Sequence, residues 1–174
     1  EPFAIEYRFV DDSVLRWEYI EGPGRGASGY SQYIATNPRR DYDYVEYIAG
    51  SNHAQMVALV LDRKRNIATG VFGDFPREND DQWSMYQRSA KKMALTASSI
   101  KILNASIGSP MGTGTLRHDL DSSDLVGKRK LYRYSAKDAY EHIYHDNHNF
   151  TWHCVSGNEK GLADTDFAQV VKFE

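Results

Sequence analysis

Tyr132 and Tyr134 stand two residues apart, a spacing that puts both phenols on one face of an extended chain. Tyr140, His142 and Tyr144 repeat the spacing a few residues later. Such a face joins several hydroxyl donors to one group that titrates near neutrality, enough to orient a phenol or carboxylate and to shuttle a proton. The residue types therefore nominate His142 and Tyr134 as the catalytic residues of a cofactor-independent lyase or isomerase, His142 as acid/base and Tyr134 orienting the ligand. Tyr132, Tyr144, Tyr140 and Trp152 would hold the ligand, together with Tyr7, Trp17 and Tyr19 at related positions upstream. Arg39, beside Arg40, offers a cation to an anion at the mouth of a pocket. Two other readings compete: these rings pack around a ligand that is carried or sensed without being changed, or they merely pack across strands in a structural protein whose open strand edges assemble it into oligomers.

Other reactive residues have plainer explanations. Cys154 shares a strand face with Trp152, but no cation or helix N-terminus can be placed beside it, so it reads as a buried, inert thiol. His145 and His148, and likewise His118 and Asp121, have metal-ligand spacing without a third ligand, and no metal site is expected. Asp164 and Asp166 share a face and could divide acid and base roles, although exposed loop carboxylates are commoner. His53 and Gln55 share the inward parity of one strand. The run Gly22-Pro-Gly-Arg-Gly26 lacks the Lys-Ser/Thr of a phosphate loop, and no Gly-x-Ser-x-Gly elbow occurs, so nucleotide chemistry and serine hydrolysis are disfavoured and no cofactor is expected.

Positioning these side chains falls to strands. Period-two alternation of β-branched and aromatic residues predicts strands at 5–10, 14–20, 29–35, 42–49, 53–61 and 67–72. The breaks have local causes: Asp11-Asp12-Ser13 suits a tight turn, Gly22-Pro23-Gly24 forbids regular structure, Asn37-Pro38 disfavours helix, and Gly50-Ser51-Asn52 tolerates positive φ. One helix is predicted after caps at Asn79-Asp80-Asp81, carrying Trp83 and Tyr86. A strand at 94–107, a loop at 108–114 and a charged connector at 117–130 follow, then strands at 130–135, 139–145, 149–155 and 164–173.

The chain repeats itself. Glu6-Tyr-Arg-Phe9, a turn and Arg16-Trp-Glu-Tyr-Ile20 are answered by Leu131-Tyr-Arg-Tyr134, a turn and Tyr140-Glu-His-Ile-Tyr144. The stretch 30–35 matches 150–155, and 44–47 matches part of 168–173. The pattern predicts an all-β antiparallel barrel of two related halves in a single domain: a first half at 1–75, helix and connector at 76–128, and a second half at 129–174. The two strands at 53–73 that complete the first half have no counterpart in the second, so the expectation is a natural chain that continues further. The alternatives are a second chain, or a second copy, completing the open strand edges, or an open barrel capped by the helix.

Composition narrows the function classes. In 174 residues, 21 Lys+Arg face 24 Asp+Glu, a net charge of -3 that gives no basic field for nucleic acid. The longest apolar run, 56–61, is far shorter than the ~20 residues of a membrane-spanning helix. A single cysteine and no signal-like N-terminus point to the cytoplasm. Twelve tyrosines against seven Phe and three Trp suit half-buried strands or a polar-tipped pocket, so the expected partner is a small aromatic or hydrophobic molecule.

Asp124-Leu-Val-Gly-Lys-Arg129, Leu131-Tyr-Arg-Tyr-Ser135, Tyr140-Glu-His-Ile-Tyr144, Phe150-Thr-Trp-His-Cys154 and Gly161-Leu-Ala-Asp-Thr-Asp166 together resemble the molybdenum cofactor biosynthesis protein F (MoaF-like) family. The resemblance implies a calycin, a lipocalin-like barrel of two related halves, with a genetic link to cofactor synthesis. A more distant likeness, carried by Tyr132-Arg133-Tyr134 and Tyr140-Glu141, is to phenolic acid decarboxylases. It implies that the tyrosine pair and an arginine, at Arg39 or Arg40, grip a carboxylate. The glutamate of that pattern is replaced here by Gly50-Ser51-Asn52-His53.

Overall fold

The computed structural model describes residues 2–50, 55–76, 82–94, 97–108 and 117–173. The chain divides into two compact units, residues 1–117 and 118–174. Both are built from antiparallel strands, so the protein is all-β, with one short helix among the described residues.

In the first unit the strands are β1 (Ala4–Phe9), β2 (Val14–Glu21), β3 (Ser28–Arg39), β4 (Tyr42–Ala49), β5 (Gln55–Asp62), β6 (Ile67–Asp74) and β7 (Ser99–Ser106). They pair in sequence order, a meander that needs only hairpin connections. The sheet curls strongly. Tyr7 on β1 and Tyr47 on β4 are three strand steps apart, roughly 14 Å in a flat sheet, yet their hydroxyls lie 3.2 Å and their ring centres 6.1 Å apart. Alternate residues of β2, β4 and β5 fill the concave side: Leu15, Val45, Tyr47, Val57 and Leu59 form the buried cluster, with Tyr7, Trp17 and Phe72 packed against it.

Turns follow the chemistry of their side chains. Asp11 Oδ1 accepts from the backbone N–H groups of Ser13 and Val14 at 2.7 and 2.8 Å, closing the β1–β2 turn. Contrary to the expected break, β3 continues through Asn37-Pro38 as a bulge whose register shifts between Thr36 and Arg39. A bulge accommodates a residue with no N–H, and the Asn37 amide donates to Tyr42 O at 2.7 Å in its place. The helix also differs from expectation. α1 spans Met85–Ala90 and starts from Ser84, whose hydroxyl accepts from Gln87 N while Gln87 Oε1 accepts from Ser84 N. That reciprocal pair caps the first turn, so Trp83 precedes the helix and lies under Lys91, 4.3 Å from its ring centre. The expected caps at 79–81, and His53 with the start of its strand, lie outside the described residues.

In the second unit, β9 (Arg129–Arg133), β10 (Ala139–Tyr144), β11 (Asn149–Ser156) and β12 (Ala163–Phe167) form a sheet in the order β12-β11-β10-β9. The expected strand at 164–173 is broken. Its first part is β12; its end, β13 (Val171–Lys172), pairs with β8 (Asp119–Leu120), which lies inside the stretch read as a connector. The partner changes within three residues: Ala168 N still donates to His148 O, whereas Val170 O accepts from Asp121 N. On one face of this sheet Glu141, 8% exposed, bonds to the Arg129 guanidinium.

The two hairpins of the repeat keep their faces but not their register. Tyr7 pairs with Trp17 across β1 and β2, whereas Tyr132 pairs with Tyr140 across β9 and β10, two residues nearer the turn than strict repetition would place it. An even shift preserves inward and outward sides. On the next strand, Gly29 stands opposite Trp17 and Trp152 stands opposite His142, so pairing aligns 29 with 152.

Candidate functional site

The nominated residues fall into two groups, one in each unit. In the second unit, cross-strand pairing places Tyr132, Tyr140, His142, Tyr144, Phe150 and Trp152 on one face. The rings touch in series. His142 lies between Tyr132 at 4.6 Å and Phe150 at 4.7 Å, and Tyr144 stacks on Phe150 at 5.8 Å. Tyr134 meets Tyr140 edge-on at 5.5 Å, and Tyr140 reaches Trp152 at 6.0 Å. Tyr134 and His142 thus stand at different points of the row, with Tyr132 in contact with both.

Polar tips fix this row. The hydroxyls of Tyr132 and Tyr144 are 3.0 Å apart. Tyr140 donates to Glu159 Oε2 at 2.6 Å, and the Trp152 indole N–H donates to Asp166 Oδ2 at 2.8 Å. Burial pushes the Tyr144 phenol up, aided by its bond to Tyr132; the bond to Glu159, ahead of burial, does the same for Tyr140. Burial pushes His142 down, so its imidazole is neutral at pH 7 and can accept a proton.

The first unit has an open pocket of about 210 Å³ on its curled face. Four rings form most of the wall: Trp17, Tyr19, Tyr47 and Phe72. Ile5, Ala49 and Val57 complete the apolar part, and Gln55 with Gly50 forms the rest. Two rings are admitted by glycines. A Cβ on Gly29 would sit 2.7 Å from Trp17 Cζ2, and one on Gly70 would sit 2.7 Å from Phe72 Cε2. The Tyr47 hydroxyl donates to Tyr7, and burial pushes both phenols up. The Trp17 indole N–H is buried with no partner among the described residues. Gln55 Nε2 donates to Asp74 Oδ1 at 2.7 Å.

The remaining candidates are engaged elsewhere. Arg39 lies over the Tyr42 ring at 4.9 Å, and Cys154 is fully buried, donating to Ser156 O. His145 bonds to Thr151, His148 stacks on Phe167, and buried His118 packs on Phe173 at 4.3 Å. Among the described residues no three His, Cys, Asp or Glu side chains group as a metal site, and no helix is long and apolar enough to cross a membrane. Tyr47 and Phe72 were not nominated from sequence. Their signal was parity alone, Tyr47 alternating in step with buried Val45 and Phe72 standing cross-strand from Val57.

Comparison with known proteins agrees with this architecture. The family description MoaF N-terminal domain matches residues 1–77, and MoaF C-terminal domain matches residues 120–174. Protein MoaF from Klebsiella aerogenes is 29% identical over 162 residues, covering 93% of this chain but 56% of that protein, so the chain spans little more than half the length of this relative. With both domain descriptions matched in order along one tyrosine-rich all-β chain, this protein belongs to the MoaF family.

Proposed function

We propose that the protein binds a small aromatic or otherwise hydrophobic metabolite in the first-unit cavity, as a carrier or sensor of that molecule. The observation that carries this reading is the wall: four aromatic rings and three aliphatic side chains around about 210 Å³. An engineered apolar cavity of about 150 Å³ takes up benzene, whereas drug-sized ligands need roughly 300 Å³ or more. The cavity therefore suits a single ring with small substituents. Titration of the purified chain with toluene, followed by calorimetry and by a rise in melting temperature, tests it. Ala49→Leu, which adds side chain to the wall, should abolish binding while leaving a cooperative melt. No heat and no thermal shift in the unsubstituted chain would end the reading.

A second reading, catalysis as a lyase or isomerase, is favoured by the neutral His142 beside the Tyr132–Tyr144 hydroxyl pair. Such an enzyme would use His142 as acid/base and Tyr134 on the same row to orient the substrate. His142→Ala and Tyr134→Phe should then each remove turnover of a co-purifying compound and leave its binding intact. Binding without turnover in the unsubstituted chain leaves the carrier.

A further inference from the structure

We propose that the ligand of the first-unit cavity is uncharged and donates one hydrogen bond, through an O–H or N–H group, to Gln55 Oε1; this rests on the binding reading above. Charge is decided by the wall. Among the described residues that line the cavity, none carries a charge. Lys101, cross-strand from Phe72, is exposed and stands outside the wall, whereas the Asp74 carboxylate lies cross-strand from Gln55. An anionic ligand would lose its hydration and meet no cation among the described residues of the wall, a cost that ring burial does not offset.

The hydrogen-bonding sense is decided by Asp74. An ionised carboxylate only accepts. Its Oδ1 takes the Gln55 Nε2 proton at 2.7 Å and its Oδ2 takes the Ser99 hydroxyl proton at 3.1 Å. The amide cannot be flipped without setting oxygen against oxygen, so Oε1 is the Gln55 atom left without a partner among the described residues, in a side chain of the wall. The other polar groups do not compete strongly for an acceptor ligand. Tyr47 has given its proton to Tyr7, and the Trp17 N–H is buried out of reach; Tyr19 keeps a hydroxyl that can serve either way. A ring bearing one phenol-like O–H or one ring N–H satisfies this wall. A hydrocarbon leaves Oε1 unpaired.

Calorimetric titration of the full chain with phenol, toluene and benzoate tests the assignment. A wholly apolar cavity would favour toluene, because the phenol hydroxyl loses its water; an accepting Oε1 reverses that. Phenol should bind at least as tightly as toluene, and benzoate at least tenfold more weakly than phenol. Gln55→Met should weaken phenol by roughly tenfold more than it weakens toluene, with an unaltered cooperative melt reporting an intact fold. Toluene binding tenfold tighter than phenol, benzoate matching phenol, or an unchanged phenol affinity in Gln55→Met overturns the proposal while the binding reading survives. Failure of both toluene and phenol to bind overturns the binding reading, and this proposal with it.

Discussion

Both units contain a pair of tyrosine hydroxyls in contact, Tyr7 with Tyr47 and Tyr132 with Tyr144. In each pair the more buried member depends on the other for its hydrogen bond, Tyr47 being 5% and Tyr144 8% exposed. Tyr7→Phe therefore leaves the Tyr47 hydroxyl without its acceptor and should cost about 1–3 kcal/mol. The double variant Tyr7→Phe/Tyr47→Phe should cost less than the sum of the singles, since no polar group is then stranded; urea denaturation of the four proteins measures both numbers. His142 has a different signature. Its folded pKa lies below the ordinary value of 6.5 because burial penalises the charged ring. The unfolded chain then binds more protons between that lowered value and 6.5, so stability is full above 6.5 and falls as pH drops through that window. Lys130, opposite His142 on β9, adds a like charge on that side once the ring is protonated. His142→Gln should flatten the melting temperature between pH 7 and 5.5, and a slope equal to the unsubstituted protein's would assign it to other groups.

At the level of elements, the hairpins owe their turns to single carboxylates. Asp11 and Asp146 each accept two backbone N–H groups, and those bonds hold both carboxyls below the ordinary 3.8. Their stabilisation is present above that value and disappears as pH falls through the lowered one. Asp11→Ala should lower the melting temperature at pH 7 and have a smaller effect near pH 2. The strands around these turns were legible in the sequence because alternation and turn chemistry are local: the expected 14–20 and 42–49 coincide almost fully with β2 and β4. Asn37-Pro38 was misread because a bulge depends on the partner strand, whose Tyr42 carbonyl the Asn37 amide reaches. The helix start was missed although Ser84 and Gln87 spell a capping box, since the more acidic run before it drew the assignment. Trp17 and Tyr19, nominated by type, line the pocket, whereas Tyr47 and Phe72 enter the same wall only because the sheet curls. Curl is not written in any one strand. The glycines beneath two of these rings are equally invisible to pattern. Gly29→Ala would drive a methyl into the Trp17 ring and should shift its fluorescence, lower stability and narrow the cavity.

At the level of the whole chain, two compact units carry the two halves of one sequence repeat, and the family boundaries at 77 and 120 fall on either side of the described helix and β7. The halves have diverged unequally. One uses its curled face to line a largely apolar pocket; the other sets the same residue types in a touching row whose tips are tied by Glu159 and Asp166. Leu15→Ala, at a fully buried position of the first unit, should cost about 2–5 kcal/mol in that unit's unfolding transition, as followed by denaturant titration. The two-residue offset between the hairpins has a further consequence for descent. A one-residue slip between paired strands would turn the aromatic rings of one strand to the opposite face, whereas a two-residue slip keeps them where they are. Drift in pairs is open to a duplicated strand pair, and each such step brings a new residue opposite an old one without exposing either. Tyr140 opposite Tyr132, where Trp17 faces Tyr7, is such an even step between the two hairpins, and it gives each Tyr a new aromatic neighbour on an unchanged face.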